Sequence, residues 1–191
     1  EETVFQDIAF GPSNMGLEQQ EVKQRVEFAA NLVGLMPELL QKSPFDLSGG
    51  QKRRAAIAGV LAMEPKILIL DEPTAGLDPA GRDEILYKIK DMHERMDITV
   101  ILVSHSMEDI AKLADRILVM NRGTVEMFGK PDEIFRQSKR LGEIGLNVPQ
   151  ITQVMDSLRE KGMPVSEGIY TVEDAQRELS VLLEGKGASL C

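Results

Sequence analysis

A polar, glycine-rich turn in the sequence has residue types and spacing that suit the binding of an anion. It consists of Ser48-Gly49-Gly50-Gln51, and the small residues that follow it, to Met63, recur at a spacing typical of a helix. Ser48 and Gln51 stand at capping-box spacing, which gives the turn a purely structural explanation. The same turn offers backbone N–H groups, a helix N-terminus and a hydroxyl, which together suit a phosphate. The sequence leaves both explanations open. Residues 52–54 are all basic and either add positive charge or form a solvated helix face.

Two adjacent carboxylates, Asp71 and Glu72, end the apolar run from Ile67 to Leu70. A continuous apolar run predicts a strand that is buried on both faces, and such a strand presents its C-terminal side chains to the crevice where α/β proteins bind ligands. Asp71 would suit Mg²⁺ held through water. Glu72 would suit the orientation or deprotonation of an attacking water. A solvated acidic turn after a strand explains the pair equally well.

His105 follows a second apolar run, Ile98 to Val103, which also predicts a buried strand. Next to a carboxylate pair, a histidine in this loop would contact a γ-phosphate or stabilise the attacking water. A loop histidine commonly has no such role, so this assignment depends on the neighbouring strands. Because helical patterns separate the apolar runs, we predict a largely parallel sheet up to about residue 115.

The flanking segments predict the remaining architecture. Gly11-Pro12 closes a short apolar stretch, Val4 to Phe10, and a helix with one apolar face follows it up to Gly34. A hairpin is expected around Asn121-Arg122-Gly123. We assign residues 1–130 to one domain and residues 131–191 to a helical appendage.

Composition limits the classes of function. The formal net charge of −9 argues against nucleic acid as a partner. The single cysteine, Cys191, excludes disulfides within one chain and fits a reducing cytosol. No apolar run approaches the length of a membrane span, which is about 20 residues.

Four motifs, in this order, resemble the signature motif, Walker B motif, D-loop and switch histidine of ABC-type ATPases. They are Leu47-Ser48-Gly49-Gly50-Gln51, Ile67-Leu68-Ile69-Leu70-Asp71-Glu72-Pro73, Ala75-Gly76-Leu77-Asp78 and His105. The resemblance implies the α/β P-loop NTPase fold of ABC ATPases. Here that fold has an incomplete RecA-like parallel sheet, a helical subdomain over about residues 13–60, and the C-terminal appendage.

The resemblance also implies a role for each site residue. Asp71 would serve Mg²⁺, Glu72 would be the catalytic base, His105 would contact the γ-phosphate of ATP, and Asp78 would cross the dimer interface. ATP would lie between two subunits, either identical or different. The residues that bind the nucleotide of the partner subunit would be those of the signature turn, Ser48, Gly49, Gly50 and Gln51.

The flanking residues carry a narrower resemblance, to the ATPases of energy-coupling factor transporters, including cobalt-type members. Asp7 to Pro12 and Leu141 to Gln150 are similar to corresponding regions of that group. Two ATPases of such an importer sit beneath a transmembrane coupling protein and a substrate-binding membrane protein, and they power the uptake of a vitamin or metal ion. The implied location is the cytoplasmic face of the membrane. The same resemblance implies that Gln6 is not the glutamine of the Q-loop.

The chain departs from the family pattern in one respect. No G-x-x-x-x-G-K-[ST] motif occurs in the 191 residues, and the resemblance places that phosphate loop and the Q-loop before Glu1. We therefore expect the sequence to be incomplete at its N-terminus, open strand edges in the sheet, and little ATP binding or hydrolysis by these residues alone. Two alternatives stay open: the ATPase of another ABC system, and a non-catalytic module that only dimerises or docks.

Overall fold

The computed structural model describes residues 1–187, which form two compact units. The first unit contains residues 1–103 and the second begins at Ser104. The domain boundary that the sequence places between residues 130 and 131 stays a prediction. The elements of the first unit are α1 (Val4–Asn14), α2 (Gln19–Leu32), α3 (Gly49–Leu61), β1 (Ile67–Asp71), α4 (Pro79–Met96) and β2 (Thr99–Val103).

Helix α1 continues past the point where the sequence predicts a turn. Gly11 and Pro12 lie inside the helix rather than at its end. Gly11 serves close packing instead, since an added Cβ would lie 2.6 Å from the Sδ of Met63, at the end of α3. The N-terminus of α1 is held by the loop before α3, because the N–H groups of Val4 and Phe5 donate to the carbonyls of Lys42 and Leu40.

Helix α2 confirms its predicted apolar face. Gly34, with a φ of +73°, follows its last turn, as expected for a residue that ends a helix. Between α2 and α3 the chain forms two short 3₁₀ turns, Pro37–Leu39 and Pro44–Asp46. The apolar residues of the α2 face, including the C-cap Val33, are all buried: Val22, Val26, Ala29, Ala30 and Val33.

Strands β1 and β2 pair in parallel, as predicted, and α4 forms the crossover between them. The prediction that both faces are buried is wrong. Leu68 is 2% exposed and lies on the covered face, whereas Ile69 is 65% exposed on the other. The physical reason is that no described element of this unit packs against the second face. Among the described residues each strand pairs with a single neighbour, so each has an open edge.

The second unit combines an antiparallel hairpin with short helices. Its elements are α5 (Met107–Leu113), β3 (Ile117–Asn121), β4 (Thr124–Gly129), α6 (Pro131–Phe135), α7 (Ser138–Glu143), α8 (Gln150–Glu160) and α9 (Val172–Gly187). The hairpin confirms the sequence prediction, and Arg122 and Gly123, both with positive φ, form its two-residue turn. A core that includes Ile117, Phe135 and Leu141 joins the hairpin to α6 and α7.

Candidate functional site

A cavity of about 730 Å³ lies in the first unit, between the start of α3, the loop after β1 and the start of α4. It brings together residues that are far apart in sequence but share a predicted role in nucleotide binding. Its lining includes Ser48, Gly49 and Gly50 of the signature turn, and Asp78 of the predicted D-loop. The remaining lining residues are Arg53, Arg54, Ala75, Gly76, Leu77, Ala80, Gly81, Glu84 and Ile85.

The signature turn has the predicted capping-box geometry. The N–H of Gln51 donates to the Oγ of Ser48 over 3.3 Å, and the N–H of Ser48 donates to the Oε1 of Gln51 over 2.9 Å. The structural explanation is therefore confirmed, and it leaves room for the chemical one. The N–H groups of Gly49 and Gly50 belong to the first helical turn, which has no intrahelical acceptors, and both glycines line the cavity. The side chain of Gln51 belongs to the cap, and Gln51 does not line the cavity.

Two arginines tie α3 to the opposite wall of the cavity. The Nη1 of Arg53 donates to the carbonyl oxygen of Ala75 over 2.7 Å. The Nη1 of Arg54 lies 3.0 Å from the Oε2 of Glu84 on α4, and the Arg54 side chain is only 17% exposed. Sequence reasoning considered these residues only as added charge or a solvated face. The available signal was their place on the second turn of α3, directly after the signature turn.

Backbone hydrogen bonds, one to β2 and one within the loop, hold the loop from Glu72 to Asp78. The N–H of Glu72 donates to the carbonyl of Val103 over 2.9 Å, and the N–H of Ala75 donates to the carbonyl of Glu72 over 3.1 Å. Glu72 has a φ of +48°, a conformation that non-glycine residues seldom adopt. Asp78 then begins α4 as its N-cap, and its side chain lies against Gly81, where an added Cβ would come 2.8 Å from the Oδ1 of Asp78.

The predicted carboxylates lie at the C-terminal end of β1, as expected. Asp71 is exposed on the same face as Ile69, and Glu72 is half-buried. An exposed carboxylate fits Mg²⁺, because that ion keeps several waters and shares its coordination between one or two carboxylates and substrate phosphates. Within the described residues no group of three or more His, Cys, Asp or Glu side chains forms a metal cage. The assignment of Asp71 to Mg²⁺ stays a prediction.

His105 belongs to the second unit and is exposed in the turn before α5. The turn is ordered by serine hydroxyls: the N–H of Ser106 donates to the Oγ of Ser104 over 3.0 Å, and the N–H of Asp109 donates to the Oγ of Ser106 over 3.2 Å. Since Asp71 and Glu72 belong to the first unit, the assignment of His105 to the same site stays a prediction.

Gln6 has a structural role. Its Oε1 accepts from the N–H of Thr3 over 3.1 Å, and its N–H donates to the Oγ1 of Thr3 over 3.2 Å. These two bonds form a capping box at the start of α1. That Gln6 is not the glutamine of a Q-loop stays a prediction.

Comparison with known proteins matches the chain to the ABC transporter family over residues 2–75. The energy-coupling factor transporter ATP-binding protein EcfA2 of Caldanaerobacter subterraneus subsp. tengcongensis is 60% identical over 185 residues. That alignment covers 97% of this chain and 65% of the relative. The chain thus spans about two thirds of the length of this relative.

Across the described residues, no helix combines the length and the apolar character that a membrane span needs.

Solved structures give the same fold. The structure of cbiO1 from Clostridium perfringens, described as part of the ABC transporter complex cbiONQ, has a TM-score of 0.66 at 42% identity and covers 81% of this chain and 61% of its own. The dimeric structure of MJ0796, a bacterial ABC transporter cassette, has a TM-score of 0.58 at 28% identity. The match covers 67% of this chain and 56% of that structure's chain. The expected ABC ATPase fold is confirmed, and the chain belongs to the ABC transporter family, among the ATP-binding proteins of energy-coupling factor transporters.

Proposed function

We propose that the natural protein containing this chain binds and hydrolyses ATP to power an energy-coupling factor importer. One observation carries the proposal: a single cavity unites the signature residues Ser48, Gly49 and Gly50 with Asp78 of the D-loop. Neither motif alone would be specific, because short motifs arise by chance. The similarity to EcfA2 proteins supports the same function.

The two ends of the segment from Leu47 to Asp78 would serve different nucleotides. The backbone N–H groups of the signature turn, with the Ser48 hydroxyl, would stabilise the γ-phosphate of ATP held by a partner subunit. The Gln51 side chain would keep the turn in shape through its bond to the N–H of Ser48. Asp71 would hold Mg²⁺, which supplies positive charge to the phosphates. Glu72 would accept a proton from the attacking water at its carboxylate. His105 would orient the γ-phosphate, and Asp78 would contact the partner across the dimer interface.

The partners follow from this arrangement. A second ATPase subunit, identical or different, would complete both nucleotide sites. The dimeric cassette MJ0796 supports such a pairing. The complex that includes cbiO1 supports association with membrane components, and we propose a transmembrane coupling protein and a substrate-binding membrane protein at the cytoplasmic face. The cargo would be a vitamin or a metal ion. The segment from about residue 13 to residue 60 would contact the coupling protein.

The 191 residues alone favour a second function. They contain no G-x-x-x-x-G-K-[ST] motif, and a loop of that kind supplies the main backbone cradle for the β- and γ-phosphates. We propose that these residues by themselves bind ATP poorly and do not hydrolyse it. They would still present the signature turn to a partner, which is the behaviour of a docking or dimerisation module. Tight MgATP affinity in a titration of the 191-residue chain would contradict this.

The ATPase proposal is tested by Glu72→Gln in the natural full-length protein. The amide cannot accept the proton, so the maximal rate of hydrolysis should fall about 100-fold or more, the range expected for loss of a general base. MgATP affinity should stay within about 2-fold, since Glu72 is assigned to chemistry and not to binding. Phosphate release and nucleotide titration are the two measurements.

The controls for that experiment are the wild type, Lys66→Met and Glu84→Gln. Lys66 is exposed and does not line the cavity, so Lys66→Met should hydrolyse ATP at the wild-type rate. Glu84→Gln removes a carboxylate that pairs with Arg54, away from the proposed base, and should lose far less activity than Glu72→Gln. Full activity of Glu72→Gln would contradict the assigned base. Purification of the wild type without membrane components would favour another ABC system.

A further inference from the structure

Arg53 connects two functional segments that the sequence keeps apart. It lies on α3, one turn after Ser48, and its guanidinium reaches across the cavity to the carbonyl oxygen of Ala75 at 2.7 Å. Ala75 lies in the middle of the loop between β1 and α4. A charged donor on a neutral acceptor makes a stronger bond than a neutral pair. The Arg53 side chain is half-buried, whereas Ala75 is exposed, so the bond lies at the surface of the cavity.

The same residue of the loop also contacts Glu72. The N–H of Ala75 donates to the carbonyl of Glu72 over 3.1 Å. Two successive hydrogen bonds, joined by one residue, thus lead from the signature helix to the backbone of Glu72. The geometry of this connection is fixed by helix α3 at one end and by β1 at the other.

Glu72 needs that support because of its backbone conformation. A φ of +48° places it in the left-handed region, which costs a non-glycine residue about 1–2 kcal/mol. Two bonds oppose the cost: its N–H donates to the carbonyl of Val103 over 2.9 Å, and its carbonyl accepts from Ala75. If Ala75 is no longer anchored from the other side, the second of these bonds becomes free to break.

We infer that Arg53 is a positioning residue that sets the orientation of Glu72 relative to the signature turn. The inference rests on the proposed ATPase function, in which Glu72 serves the subunit's own nucleotide and the signature turn serves the partner's. Through Arg53, the helix that meets one nucleotide also holds the base that acts on the other. Arg53 touches neither nucleotide in this role, and its effect passes through Ala75.

The test uses Arg53→Met in the natural full-length protein. The maximal rate of MgATP hydrolysis should fall about 10-fold, because a small misplacement of a catalytic group is costly. The KM for MgATP should stay within about 2-fold. Hydrogen–deuterium exchange of the segment from Glu72 to Asp78 should become about 10-fold faster, whereas the melting temperature should hardly change. Arg53→Lys keeps the charge and one donor, so it should restore part of the rate and part of the protection.

Each alternative explanation gives a different result. If Arg53 only attracts the anionic nucleotide, Arg53→Met raises KM and leaves exchange at Ala75 unchanged, and the inference is wrong. If Arg53 only stabilises the fold, exchange rises throughout the first unit and the melting temperature falls, which also overturns it. Lys66→Met controls for loss of one positive charge on the same unit. A wild-type protein that hydrolyses no ATP would refute the proposed function, and the exchange measurement would still decide the role of Arg53.

Discussion

The two units each contain a two-stranded sheet, and the sheets differ in how far apart their strands are in sequence. In the first unit, β1 and β2 pair in parallel through the long crossover of α4. In the second, β3 and β4 pair antiparallel through the turn at Arg122 and Gly123. The parallel pair brings both C-terminal strand ends to one edge, where Asp71 and Glu72 lie. In the hairpin, the short turn sets the register of the two strands, and the sheet packs on a core rather than carrying candidate site residues.

Both sheets have one buried face and one exposed apolar face, but the contacts made on the two exposed faces differ. On the parallel pair the exposed apolar side chains are Ile67, Ile69, Ile101 and Val103. On the hairpin they are Leu118, Met120, Val125 and Phe128, and there the guanidinium of Arg116 lies over the Phe128 ring at 4.3 Å. A cation over a ring is a favourable contact even at an exposed site. Among the described residues, the face of the parallel pair has no corresponding contact.

The largest predicted effect separates the two faces of β1. Leu68→Ala should lower the free energy of unfolding of the first unit by about 2–5 kcal/mol, because it deletes a fully buried side chain and leaves a cavity. Ile69→Ala, at the next position, should change it by less than about 1 kcal/mol, since the side chain is 65% exposed. Hydrogen–deuterium exchange of the 191-residue chain in denaturant measures this unit by itself, because exchange is read separately for residues 1–103.

Equal losses from the two substitutions would contradict the described burial. They would show that something covers Ile69 in solution, such as a second copy of the chain. A dependence of the Ile69→Ala effect on protein concentration would identify that copy, because association stabilises by mass action.

Local features were predictable from the sequence, and features that depend on distant packing were not. The capping box of Ser48 and Gln51 follows from residue type and a spacing of three, and the hairpin turn follows from Arg122-Gly123 between apolar segments. The exposed face of β1 could not be predicted, since an apolar run indicates a strand without showing what covers it. The Arg53 contact joins residues 22 positions apart, and it depends on the conformation of the whole loop after β1.

An intermediate effect is expected at the hairpin turn, where sequence alone sets the geometry. Gly123 has a φ of +79°, so Gly123→Ala should destabilise the second unit by about 1–2 kcal/mol through strain at a left-handed position. Gly142→Ala is the matched control. Gly142 lies within α7 and nothing stands within 4 Å of an added Cβ, so alanine should stabilise by about 0.5–1 kcal/mol through helix propensity.

The measurement is the change in the free energy of unfolding of the second unit, which should have opposite signs in the two variants. Denaturation of the chain carrying Tyr87→Phe reports the second unit through Tyr170, which packs against Phe135 with ring centroids 5.6 Å apart. Destabilisation by both substitutions to the same extent would show that the hairpin does not depend on its turn. The contrast with the parallel pair, whose strands have no such turn, would then be lost.

The smallest effect concerns Glu126, the residue that the register of β3 and β4 skips. Its carboxylate accepts from the Nδ2 of Asn121 over 3.1 Å and from the Nε of Arg140 on α7 over 2.8 Å. The hydrogen bond from Asn121, followed by that from Arg140, lowers the pKa of Glu126 below its ordinary value of 4.5. The ionised form is thus favoured in the folded state.

A lowered pKa in the folded state gives stability that is present above pH 4.5 and is lost as the pH falls through the folded-state value. The stability difference between the wild type and Glu126→Gln should therefore be constant near neutral pH and shrink on acidification below that value. Glu143→Gln, which removes a more exposed partner of Arg140 on the same helix, should give a smaller difference at neutral pH. A Glu126→Gln difference that does not vary with pH would mean that the hydrogen bonds of the bulge, and not the charge, join the hairpin to α7. The second sheet would then owe its support entirely to local geometry, whereas β1 and β2 are joined through the long crossover of α4.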